Sequence, residues 1–99
     1  MEKRTPHCKL SVVKALIGAG KVKSTTTALI GAAALGFDFE GMVGIVLLLT
    51  PADFYKSMTT YADHTTWQDV YRPKLGDGRR VYLKLTVTDD ALIVSFKEQ

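Results

Sequence analysis

A single cysteine, Cys8, stands in 99 residues. It excludes an internal disulfide and fits a reducing compartment. Histidines number two, His7 and His64. A structural zinc site normally takes four Cys or His ligands, so no metal and no cofactor is expected. The longest uninterrupted apolar run is Ile45-Val46-Leu47-Leu48-Leu49. A spanning helix needs about 20 apolar residues, so no membrane is expected among the partners. The opening residues, Met1 to Leu10, lack the apolar stretch of a signal peptide, and the cytoplasm is the expected location. There is no P-loop, no dinucleotide fingerprint and no G-x-S-x-G elbow. His7 and Cys8 are adjacent and point apart, with no third group to orient them, which argues against a nucleophile pair.

What remains is an ordinary globular composition, 46% hydrophobic and 23% charged. The length suits one domain spanning residues 1–99. Net charge is +3 and the isoelectric point is about 9.1, a mild basic excess that fits an anionic partner without requiring one. Six bases lie in residues 1–23 (Lys3, Arg4, Lys9, Lys14, Lys21, Lys23) against one acid, Glu2. Residues 24–53 carry only the acids Asp38, Glu40 and Asp53. Near the start of the chain these bases are expected on a solvated, mobile terminus.

The first half has helical spacing. Leu10, Val13, Leu16 and Ile17 fall on one side of a helix over 10–19 that Gly18 and Gly20 end. The run Ser24-Thr25-Thr26-Thr27 offers N-caps for an Ala-rich helix from Ala28 to Leu35, stopped by Gly36. Asp38 caps a third helix over about 39–49, apolar nearly all round and therefore expected to be the buried one. Thr50-Pro51-Ala52-Asp53 has the chemistry of a one-turn helix start.

The second half changes period. Val81, Leu83, Leu85 and Val87 alternate with Arg80, Tyr82, Lys84 and Thr86, the pattern of a half-buried strand. Leu92, Val94 and Phe96 alternate with Ile93, Ser95 and Lys97, and Asp89-Asp90 makes the turn of a hairpin between the two. Further strands are expected over 55–61 and from Val70 to Lys74, the latter followed by an Asp77-Gly78 turn. Helices first and strands after imply an α+β fold, with N-terminal helices packed on one face of a C-terminal antiparallel β-sheet.

The free face of such a sheet would carry Arg80, Tyr82, Lys84, Ser95 and Lys97. The earlier strands add Lys56, together with either Gln68 and Arg72 or Asp69 and Tyr71; periodicity leaves that choice open. Cations beside a phenol suit a phosphodiester. They neutralise backbone phosphate, stabilise charge developing at phosphorus, and favour the ionised phenol. RNA brings its own nucleophile, the 2′-hydroxyl, so a base and an acid suffice. Unpaired bases would stack on Tyr61, Trp67 or Tyr71. The same residue types also suit an ordinary solvated sheet face, and Trp67 suits packing. His64, in Asp63-His64-Thr65-Thr66, suits a surface loop as well as an acid or base.

Four stretches carry a likeness that runs over nearly the whole chain. They are Met1-Glu2-Lys3-Arg4-Thr5-Pro6-His7, Asp53-Phe54-Tyr55-Lys56-Ser57-Met58-Thr59-Thr60-Tyr61, Trp67-Gln68-Asp69-Val70-Tyr71-Arg72-Pro73 and Leu92-Ile93-Val94-Ser95-Phe96-Lys97. Together they resemble the motility quorum-sensing regulator (MqsR) family. The resemblance implies a RelE/ParE-like toxin fold and a ribosome-independent mRNA interferase that cuts single-stranded mRNA at GC-containing sites such as GCU. It implies a cognate antitoxin with a zinc-binding domain and a helix-turn-helix domain. Operator DNA would be reached only through that antitoxin. It also implies an association with biofilm and persister formation. The family's proposed catalytic positions correspond to Lys56, Gln68, Tyr82 and Lys97; Arg72, Lys84, Arg80 and Tyr61 are the candidates that the residue pattern itself offers for holding RNA. The turn at Gly76-Asp77-Gly78-Arg79-Arg80 departs from the pattern, as do Cys8 and the Ala-rich stretch 28–34. The competing expectation is a non-catalytic regulatory module that acts with its antitoxin on operator DNA.

Overall fold

Glycines end the first two helices in the computed structural model, which describes all residues from Met1 to Gln99. Helix α1 spans Leu10–Gly18. Gly20, at φ +76°, turns the chain so that Gly20 N–H meets Ile17 O at 3.0 Å and Lys21 N–H meets Leu16 O at 2.8 Å. This left-handed closure satisfies the last carbonyls of the helix. Helix α2, Thr26–Ala34, ends the same way, with Gly36 at φ +89° and Phe37 N–H on Ala32 O at 2.9 Å. Thr25 caps its start, accepting from Ala28 N–H at 3.0 Å. Helix α3 spans Phe39–Leu47, and Asp38 caps it by accepting from Gly41 N–H at 2.7 Å. A 3₁₀ turn, Pro51–Asp53, follows; Asp53 accepts from Thr50 N–H at 2.8 Å.

Six strands form one sheet: β1 (Glu2–Lys3), β2 (Val22–Ser24), β3 (Phe54–Thr59), β4 (Trp67–Tyr71), β5 (Val81–Val87) and β6 (Ala91–Glu98). Their order across the sheet is β1-β3-β4-β5-β6-β2. The expected α+β class holds, but the sheet is mixed rather than antiparallel, because β2 runs parallel to β6. A three-residue strand is too short to show a period, and it was legible only as the link between two helices. The opening residues are not a loose tail either. Strand β1 pairs with β3, placing Glu2 opposite Met58 and Lys3 opposite Ser57. Just beyond it, the buried carboxylate of Asp69 accepts from His7 N–H at 2.9 Å, Cys8 N–H at 3.0 Å and the Ser57 hydroxyl at 2.6 Å. Strand β4 begins three residues before the expected Val70 and ends at Tyr71; beyond it only Lys74 bridges to Arg80.

One buried cluster unites Val13 and Ile17 of α1, Ala28 and Ala32 of α2 and Met42 and Val46 of α3 with Val81, Leu83, Leu85, Ile93 and Phe96 of the strands. Helix α2 approaches β6 so closely that a β-carbon on Gly31 would overlap the Phe96 carbonyl oxygen. Helix α3 is less buried than its composition suggests. It packs chiefly on α1 and α2, and it buries only Met42 and Val46. Leu47 and Leu48 stay 42% and 74% exposed. The core set of β6 also differs from the alternating pattern. Ala91, Ile93 and Phe96 are buried, while Leu92 and Val94 are only partly so. The register explains it: Lys84 faces Ser95 and Leu85 faces Ile93, so Val94 is an extra residue in β6. A bulge of this kind reverses the faces of every residue before it. No single helix is long and apolar enough to cross a membrane.

Candidate active site

Strand β5 sets the site. Val81, Leu83 and Leu85 are buried, so Tyr82, Lys84 and Thr86 point to the opposite face. Register carries the pattern sideways: Tyr82 faces Lys97, Lys84 faces Ser95, and Val70 lies between Lys84 on one side and Lys56 on the other. Gln68 and Arg72 are each two residues from Val70, so they share this face with Lys56. The alternative left open by periodicity is thereby closed. Asp69 and Tyr71 belong to the other face, and both are buried. The bulge at Val94 restores Ser95 and Lys97 to the face of Tyr82 despite the shifted start of β6.

The Tyr82 ring is flanked by two cations. Lys84 Nζ lies 5.7 Å from its centroid and Lys97 Nζ 5.8 Å. Two open clefts meet at Lys84. The first, about 380 Å³, is lined by Met58, Tyr61, His64, Gln68 and Lys84 among others. The second, about 500 Å³, is lined by Tyr82, Lys84, Lys97, Glu98 and Gln99. Lys56 lines neither cleft; its ammonium donates to Glu2 on β1 at 2.5 Å. Arg72 lies over the Tyr55 ring at 3.8 Å. Arg80 immediately precedes β5 and donates to Arg72 O at 3.2 Å; it lines neither cleft, although its carbonyl accepts from Gln99 N–H at the rim of the second. Of the eight expected site residues, the clefts bring together Tyr61, Gln68, Tyr82, Lys84 and Lys97, and they leave Lys56, Arg72 and Arg80 to the flanks.

The family described as motility quorum-sensing regulator, toxin of MqsA, matches residues 5–98. The chain belongs to this family. It is 62% identical to the mRNA interferase toxin MqsR of Escherichia coli (strain K12) over 99 residues, covering 100% of each chain. The family motifs noted above sit on β1, β3, β4 and β6, and Lys56, Gln68 and Lys97 within them share one sheet face with Tyr82 of β5.

In this family member the lysines of the face are not equivalent. The hydrogen bond to Glu2 holds the Lys56 ammonium above the usual lysine range, and the charges of Glu2, Tyr82 and Tyr55 add to it. Burial pushes Lys84 below that range, and the neighbouring charges of Lys97 and Lys56 push it further. Two lysines of one sheet face thus shift in opposite directions. Sequence reasoning does not place Glu2 in the site, because its partner lies 54 positions away and no local pattern marks the pair. His64, whose sequence setting suits a surface loop as well as an acid or base, stands at the cleft beside Gln68. No three His, Cys, Asp or Glu side chains converge as a metal site.

Proposed function

We propose that this chain is the toxin of a toxin–antitoxin pair and acts as an mRNA interferase, a sequence-specific endoribonuclease of single-stranded mRNA. The observation that carries the reading is Tyr82 held between Lys84 and Lys97 on an open cleft, within a family named for a toxin and beside a relative named as an mRNA interferase. Lys97 and Lys84 hold the scissile phosphate and stabilise the charge that builds on its oxygens. Lys56 adds a third cation, partly screened by Glu2. The 2′-hydroxyl of the substrate attacks phosphorus. The O2′–P bond forms, the P–O5′ bond breaks, one proton leaves O2′ and one is delivered to O5′. Tyr82 serves one of these two transfers, and Gln68 orients the phosphate or the adjoining base. Arg72, Arg80 and Tyr61 hold the flanking strand. The nucleophile belongs to the RNA and the countercharges are lysines, so the chemistry runs without a metal.

The same proposal extends to the remaining features, which the family resemblance supports. Residues 1–99 form one toxin domain of RelE/ParE-like fold, with the helical layer on the face opposite Tyr82. The toxin works in the cytoplasm, independently of the ribosome, at GC-containing sites. Its antitoxin binds zinc and carries a helix-turn-helix domain, and operator DNA is reached only through it.

The test is cleavage of a defined RNA by the purified chain in the presence of EDTA. The expected products end in a 2′,3′-cyclic phosphate and a 5′-hydroxyl. Loss of cleavage on chelation sinks the metal-free route. No cleavage under any condition, with unaffected growth on induction, leaves the chain a binding module.

A further inference from the structure

The loop between β3 and β4 is built on Asp63. Its carboxylate accepts from Thr65 N–H at 2.9 Å, from the Thr65 hydroxyl at 2.6 Å and from the Thr66 hydroxyl at 2.8 Å. The Thr60 hydroxyl accepts from Asp63 N–H at 3.0 Å and donates to Asp63 O at 2.8 Å, and Thr60 N–H bonds Thr66 O at 2.9 Å. These bonds to the Asp63 side chain hold its carboxyl far down, at about 2. The loop is therefore a pinned turn, and it presents two rings. Tyr61 is fully exposed and His64 is exposed, and both line the cleft whose inner wall is Gln68 and Lys84.

A lone exposed aromatic needs no explanation. Here an aromatic, an imidazole, an amide and an ammonium converge on one open cleft. The ammonium is Lys84, which the neighbouring phosphate cleft shares. Such a set matches one unpaired nucleotide. Aromatic faces stack bases, amides and imidazoles pair with base edges, and a lysine holds the phosphate attached to the same sugar.

We propose that this cleft is a nucleobase subsite for the nucleotide beside the scissile phosphate: the base enters between Tyr61 and His64, stacks on Tyr61, and presents its edge to Gln68 and His64. The proposal rests on the RNase reading above and assigns base selection to the β3–β4 loop. Tyr61 and His64 are binding residues in it, not catalytic ones. A base held in a duplex does not enter, so the subsite also restricts the enzyme to single strands.

The experiment uses the full chain and an RNA with one cut site. For binding, the 2′-hydroxyl at the cut is replaced by hydrogen, and 2-aminopurine is placed in turn at each flanking position. Wild-type protein should quench the fluorophore at one position. Tyr61→Ala should abolish that quenching, and Tyr61→Phe should restore it. In cleavage of the normal RNA, Tyr61→Ala should lower kcat/KM roughly tenfold, the scale of one lost base stack. His64→Ala should flatten the preference among the four bases at the same position. Both side chains are exposed, so unchanged thermal midpoints accompany these effects. The proposal is overturned if wild type cuts RNA while both variants keep its kcat/KM, its base preference and its fluorescence change. Wild-type protein that cuts no RNA overturns the RNase reading itself.

Discussion

Glu2 accepts a hydrogen bond from the Lys56 ammonium at 2.5 Å, across 54 positions of sequence. The pairing of β1 with β3 makes it possible, because Glu2 stands opposite Met58 and next to Lys56 on the same face. One acid thus sits among the cations of the candidate site and holds the charge on the lysine it faces.

Replacing that acid should therefore strengthen binding to a polyanion. In Glu2→Gln, Lys56 is free to engage a phosphate and its pKa falls back toward the usual lysine range. Affinity for a non-cleavable single-stranded RNA should rise. The log–log dependence on salt should steepen by about 0.7, the value for one added phosphate contact on a single strand. Fluorescence anisotropy across a salt series measures both. An unchanged slope would show that Lys56 does not reach the RNA.

Under the proposed mechanism Tyr82 transfers a proton, so Tyr82→Phe, which keeps the ring beside the lysines, should lower kcat by about 10²–10⁴-fold with little change in KM. Lys97→Ala should raise KM as well as lower kcat, because its charge acts on the bound strand before and during reaction. Single-turnover and steady-state rates on one RNA separate the two patterns. Full activity in Tyr82→Phe would remove Tyr82 from the chemistry.

Lys84 gives a pH signature. Burial and its two lysine neighbours lower its pKa, so its ammonium is lost at a pH below that of an ordinary lysine. Affinity that depends on this charge should weaken as pH rises into the alkaline range. Lys84→Arg keeps its charge there and should lose that pH dependence. An alkali-stable 2′-deoxy oligonucleotide is the probe. Parallel binding curves for wild type and Lys84→Arg would refute the assignment.

Tyr71 is 1% exposed and its hydroxyl has no hydrogen-bond partner. Burial, with the charges of Asp69 and Cys8 beside it, raises its pKa to about 12. The fold therefore favours the neutral phenol. This stabilisation is fully present below the ordinary tyrosine value of 10.0 and is lost as pH rises through about 12. Ultraviolet titration should show a late tyrosine that disappears in Tyr71→Phe. The same variant removes an unsatisfied buried group, so its stability should match or exceed wild type by about 1 kcal/mol in urea melts.

Gly31→Ala separates local propensity from packing. On helix propensity alone, alanine should stabilise α2 by about 1 kcal/mol. The added carbon would instead overlap the Phe96 carbonyl oxygen on β6, and backbone does not move aside as a flexible side chain does. The expected result is a loss of roughly 3 kcal/mol, at the upper end for overpacking. A raised thermal midpoint would refute the close contact between α2 and β6.

Much of the fold was legible because its signals are short-range. Asp38, Gly20 and Gly36 act within a few residues of themselves and mark ends of the observed helices. Helix α2 starts at Thr26, two residues before the expected Ala28, because Thr25 is the one of four candidate caps that is used, and α3 stops at Leu47, two residues short. Strand β5 was legible because alternation over seven residues is unambiguous when one face is buried. Strand β6 misled at its start. A bulge is decided by the fit of two strands and leaves no mark in the one that bears it. The apolar run of α3 likewise signals burial but not which neighbours supply it, and here two helices cover only one stripe.

The candidate site divides in the same way. Tyr82, Lys84 and Lys97 follow from the sequence alone, since alternation on β5 and its hairpin with β6 put them on one face, and the family motifs name Lys56 and Gln68. The tertiary structure decided that Gln68 rather than Asp69 faces them, that Asp69 instead ties down the opening residues, that Glu2 meets Lys56, and that His64 reaches the cleft of Lys84. Caps, turns and periods are set by dihedral preferences and nearest neighbours. Register, bulges and ion pairs between distant residues are set by how whole strands pack, and that choice is made only when the sheet assembles.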